Sequence, residues 1–122
     1  MSASVAAPPG WPARVRPPGA PYWTETAVGW LLDQCPPDYR AYRLLQTHPV
    51  ILARWAALHV EAQQAAQRRG ISEARADLGP YVAPDVVDRA VLVCQREEAR
   101  LMGVARAVGL VEDALRRYTS AP

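Results

Sequence analysis

The chain has 122 residues, 50% of them hydrophobic, and a net charge of only +2 from 14 arginines and 12 acids. That is one domain's worth of chain with enough apolar material for a core, and its charge is too evenly balanced for an obligate nucleic-acid binder, which shows a basic stripe. Two cysteines, Cys35 and Cys94, make no disulfide framework; with no secretion signal and no apolar run near the ~20 residues of a bilayer span, the expectation is a soluble, cytoplasmic chain with reduced thiols.

Residues 1–21 hold six of the prolines, and proline fixes its own φ and pushes the preceding residue toward extended backbone. This composition predicts a Pro-rich disordered arm, with Trp11 as a docking residue because a lone Trp in such an arm has nothing to bury it. Pro18 and Pro21 form a minimal PxxP, but the flanking basic position is Val15, so an SH3 ligand is not supported. A single helical domain is expected over 22–118, followed by a short tail at 119–122.

Within that domain Thr24 or Thr26 can cap a first helix running to about Gln34, with Trp23, Ala27, Trp30 and Leu31 on one face. Pro36-Pro37 ends it and starts a second short helix with Tyr39, Tyr42 and Leu45 on its apolar side. Pro49 suits the first turn of a third helix over 49–69, where Leu52, Trp55, Ala56, His59, Ala62 and Ala66 read as one stripe and Gly70 as the stop. Ser72 to Leu78 is expected as a further short turn of helix. The bracketing pairs Gly79-Pro80 and Ala83-Pro84 then mark a loop.

The strongest pattern lies in the last third. Val87, Cys94, Leu101, Val108 and Leu115 recur every seven residues, and a second row three residues on reads Ala90, Glu97, Val104, Val111 and Tyr118. A 3–4 spacing held this long predicts one helix over 84–118 with a continuous stripe that needs a partner helix. Gly103 and Gly109, each costing about 1 kcal/mol relative to Ala, mark places for a bend. The fold class is therefore all-α: a small bundle of two short N-terminal helices, a mid-length helix and a long C-terminal one. If the third helix stops at Gly70, it covers only about 30 Å of a ~50 Å partner. The uncovered stripe, with its coiled-coil spacing, then predicts a homodimer.

For chemistry the sequence offers little. Glu97 interrupts the stripe and His59 sits mid-stripe on the expected partner helix, so His59, Cys94 and Glu97 could meet if the helices pack antiparallel. A buried His satisfied by a carboxylate, or edge residues that never meet, is favoured over a metal or acid–base site, because helical metal sites use close i, i+3 or i, i+4 ligand pairs. No phosphate-binding glycine loop, no GxSxG, no HExxH and no paired CxxC is present. The expectation is a protein that is not an enzyme and carries no cofactor or metal.

Aromatics crowd the first half, interleaved with Arg40, Arg43 and Arg54. Trp23, Trp30 and Trp55 are expected in the core, and Tyr39, Arg40 and Arg43 on the surface, the residue types of interface hot spots. The resulting reading is a small helical interaction or assembly protein with protein partners. Trp11, Tyr39, Arg40 and Arg43 would bind one partner, and Leu101, Val104, Val108, Val111, Leu115 and Tyr118 would carry self-association. The alternative is an Arg-rich nucleic-acid-associated helical protein using Arg14, Arg16, Arg54, Arg68 and Arg69.

Overall fold

The computed structural model describes residues 6–118, and every regular element among them is helical: α1 Trp23–Asp33, a 3-10 turn Pro37–Ala41, α2 Arg43–Thr47, α3 Pro49–Leu78 and α4 Pro84–Tyr118. No helix among the described residues is long and apolar enough to cross a membrane. α3 and α4 form one antiparallel hairpin, and the N-terminal third of the chain packs across it. The tail expected at 119–122 and the first five residues of the arm lie outside the described residues.

Two helices run through glycines where the sequence suggested a stop or a bend. Gly70 continues α3, because Ile71 and Ala74 keep the helix against α4 and Arg69 bridges to Glu73 one turn on at 3.0 Å. A helix-terminating Gly adopts left-handed backbone, and Gly70 does not. α3 is therefore 30 residues long, about 45 Å, against about 52 Å for the 35 residues of α4. The length mismatch that argued for a dimer shrinks to about 7 Å. α4 is likewise unbroken at Gly103 and Gly109.

Residues 6–21 are an ordered part of the fold rather than a disordered arm. Trp11, Val15 and Ala20 donate their N–H groups to the carbonyls of Pro8, Pro12 and Pro17, closing three successive turns. In the first and third, proline at the second position is followed by glycine at the third, Gly10 and Gly19, with φ of 88° and 84°. That is the type II turn, which needs positive φ there. The turns feed Val15 into the core and fold Trp11 back so that its indole N–H bonds the Val15 carbonyl at 2.8 Å. The arm is tied on by the Arg16 N–H, which donates to Thr26 Oγ1 at 3.0 Å. Thr26 thus links arm to helix instead of capping α1.

The main core lies where this N-terminal block covers the hairpin. Trp23, Ala27, Leu31 and Leu32 of α1 and Leu45 of α2 close over Leu52, Ala53, Ala56 and Val60 of α3 and Leu101, Val108, Val111 and Leu115 of α4. Beyond Val60 and before Leu101 the hairpin runs on as two bare helices that bury only Ala74 and Val87.

Candidate functional site

The stripe expected to carry self-association is mostly spent inside one chain. Leu101, Val108, Val111 and Leu115 are fully buried under α1 and α3, Val104 is half-buried, and Tyr118 lies edge-on to Trp23 with ring centroids 6.3 Å apart. Burying a second helix there would require opening the core. Trp11 is half-buried against the core instead of standing loose in an arm.

The six-residue stripe read on α3 divides into two faces. Leu52 and Ala56 point into the core with Ala53 and Val60, whereas Trp55 is 40% exposed and Ala62 and Ala66 face solvent. Trp55 therefore leaves the core position assigned to it, while Trp23 is buried and Trp30 packs on the core as expected. Around Trp55 a surface patch forms. Pro36-Pro37 breaks α1, the 3-10 turn presents Tyr39, and α2 is pinned by Leu45, its only buried residue. Tyr39 stands edge-on to Trp55 at 5.9 Å and to Tyr42 at 6.1 Å. Tyr42 and Leu58 stand about half exposed beside them, and Leu44 is about half exposed on α2. Tyr39 itself is half-buried, and exposed Arg40 is held in an ion pair with Asp33, whereas exposed Arg43 is in no ion pair among the described residues.

His59, Cys94 and Glu97 do not form a joint site. Glu97 accepts two hydrogen bonds from Arg100 at 2.7 and 2.8 Å, and this guanidinium holds its carboxyl below the usual carboxylate range. Cys94 packs against Gly70, where an added Cβ would lie 3.7 Å from the Sγ. His59 lies some eleven residues, about 16 Å, away along α3. Among the described residues no cluster of three His, Cys, Asp or Glu side chains could hold a metal. Burial pushes the Cys35 thiol up to about 11 against the opposing charge of Arg40, which keeps it protonated at neutral pH.

Of the arginines set aside for nucleic acid, Arg69 is bridged to Glu73, and Arg54 reaches Glu112 at 3.6 Å; Arg14, Arg16 and Arg68 are exposed. Glu112 is the buried charge that sequence reasoning missed. It is 7% exposed, and its Oε2 accepts both Nη2 and Nε of Arg116 at 2.7 and 3.2 Å. The i, i+4 spacing to Arg116 was visible; the approach of Arg54 from α3 required the register of the hairpin.

At the lower edge of the N-terminal block, where it stops short of the hairpin's end, is a notch of about 250 Å³. Cys35, Pro36 and Pro37 roof it, and His59, Gln63 and Arg100 are among the residues that floor it. The molecule therefore carries an aromatic patch, a notch and a bare hairpin end. Comparison with family models, with curated proteins and with solved structures found no match for this chain.

Proposed function

We propose that this is a non-enzymatic helical interaction and assembly protein whose partner-binding surface is the aromatic patch of Tyr39, Tyr42, Leu44, Trp55 and Leu58. The observation that supports it most is the exposure of Trp55 beside Tyr39, which is itself edge-on to Tyr42, and beside half-exposed Leu58. Rings of this kind bury large areas at low conformational cost and dominate binding energy when a partner desolvates them. The patch suits a protein segment that inserts apolar anchors between Trp55 and Leu58, with Arg43 on its rim available to a carboxylate of that segment.

Placing a photo-crosslinking residue at position 58 in cells tests this. A discrete crosslinked partner that disappears in Trp55→Ser, with helicity and melting unchanged, is expected. Crosslinks that are the same with and without Trp55 would refute the patch as the binding surface.

A further inference from the structure

The front of the hairpin, the side that carries the N-terminal block, is covered along only half its length. On α4, Val104 borders the notch beneath the block, and Val86, Ala90, Val93 and Glu97 continue the same helical stripe toward the tip. On α3 the matching stripe runs from His59 through Ala66, Gly70, Glu73 and Asp77. None of these residues below the notch is buried, and Val93 is 64% exposed. At the tip Tyr81, between Pro80 and Pro84, is 85% exposed.

From these placements we infer that a second copy of this chain covers the front of the bare hairpin, turned end for end about a two-fold axis at Val93. The inference rests on the reading of the chain as an assembly protein and goes beyond it by fixing the face, the occupant and the register. Three observations carry it.

Shape is the first. The uncovered stretch of α4, residues 84–99, is about 24 Å long and the hairpin is two helices, about 20 Å, wide. An end-for-end copy offers a bare hairpin of the same length, so each fills the step left by the other's N-terminal block. In outline the face is about 480 Å² per partner, the size of a small, weak protein–protein interface. A copy laid tip beside tip would instead bring the two N-terminal blocks into collision.

Charge is the second. Arg75 lies beside Asp88 and Gly70 beside Cys94, which sets Val93 level with Ile71. About an axis at that level, Arg89 of one copy comes level with Glu97 of the second, and Arg69 with Glu73 of the second. Arg96 comes level with Ala90, Arg100 with Val86 and Asp77 with Ala65; Arg96 and Arg89 of the second copy fall one residue apart on the outer edge of the face, where both are exposed to solvent. The small residues Ala66, Gly70 and Ala90 let the backbones approach.

The third is the notch. The same axis carries Tyr81 of the second copy to the level of His59 and Val104, where the notch opens under Pro36 and Pro37. A tyrosine ring fits its 250 Å³, and the notch's polar lining offers partners for the hydroxyl.

The test is the solution mass of the full chain by light scattering over about 1–100 μM, the range in which a weak dimer dissociates. A dimer is expected that Val93→Asp converts to a monomer of unchanged helicity, since Val93 is mostly exposed in the single chain. Tyr81→Ala should weaken dimerisation at least about tenfold. Arg89→Glu and Glu97→Arg should each weaken it, and the double variant should recover most of the loss. In a Cys94→Ser background, Val93→Cys treated with diamide should give a covalent dimer, and Leu92→Cys, on another face, should not. A dimer indifferent to Val93→Asp, or crosslinking no better at 93 than at 92, overturns the proposed face and register while leaving assembly standing. A monomeric wild type overturns self-association altogether, and crosslinking at position 58 then decides separately whether the aromatic patch binds a partner.

Discussion

The two ends of the α3–α4 hairpin are built on the same heptad stripe yet stand in different physical circumstances. At the end beneath the N-terminal block, Leu52, Val60, Leu101, Val108 and Leu115 lose all contact with water. At the other, Ala74 and Val87 alone are buried, and Leu78, Val86, Leu92 and Val93 remain exposed. A two-helix layer can bury only the seam between its helices; a third layer is needed before the flanking positions count. The comparison teaches that periodicity specifies the helix and its seam, while the flanking cover determines how much stability the seam yields.

The sharpest way to probe that difference is to truncate one stripe residue at each end. Leu115→Ala should cost about 3 kcal/mol in urea unfolding, and Val87→Ala about 1 kcal/mol, because the distal seam can collapse toward solvent. Equal costs would mean that the bare end is covered as fully as the other. Val108→Asp should unfold the chain, not merely separate subunits.

Next in size is the buried carboxylate that joins the two helices at the covered end. Glu112→Ala should destabilise by about 1–2 kcal/mol by stripping two guanidinium groups of their acceptor. Arg54→Ala and Arg116→Ala should each cost under about 1 kcal/mol, because either Arg still serves Glu112, and the double variant should cost more than their sum. A strictly additive cycle would show that the two arginines act independently.

Glycine replacements sharpen the contrast from the other side. An added Cβ at Gly103 meets nothing within 4 Å and at Gly70 only the Cys94 sulfur at ordinary contact distance, so each change to Ala should stabilise by about 0.5–1 kcal/mol. Gly79→Ala should fail, since its Cβ would sit 2.6 Å from the Arg75 carbonyl oxygen.

The smallest effect separates the thiols. Cys94, at the bare end, should react with a thiol reagent in the folded chain, whereas Cys35 should react only on unfolding. Because the folded Cys35 pKa is raised from 9.0 to about 11, the folded state binds its proton more tightly. Its contribution is intact below pH 9 and declines as pH rises from 9 toward 11. A Cys35→Ser variant should flatten that decline.

How much of this is legible in the sequence varies with the kind of signal. The seven-residue recurrence of Val87 to Leu115 specifies α4 and its need for α3, because a buried helical face leaves a periodic trace. Gly70 misleads because a glycine stop and a glycine passed through look alike until the packing of Ile71 and Ala74 is known. The Pro-rich arm misleads when its prolines are weighed only against helix. Pro8-Pro9-Gly10 and Pro17-Pro18-Gly19 are turn signals, and they encode the order of the arm. Trp55 falls to the core on sequence alone because two adjacent faces of α3 merge into one stripe; only the position of the 3-10 turn separates them. The patch and the notch are illegible for the same reason, since both are made by the docking of one segment on another.

The docking of the arm has a consequence for vectorial synthesis. Gly10 lies against Arg106, and Trp23 against Tyr118, so the N-terminal block is completed by residues made roughly a hundred positions later. At about 5–20 residues per second, Trp11, Val15 and Trp23 wait about 5–20 s on the ribosome before their surface exists. The first aromatic side chains to leave the exit tunnel are thus among the last to find their place, and for that interval the nascent chain offers them to any chaperone that binds apolar segments.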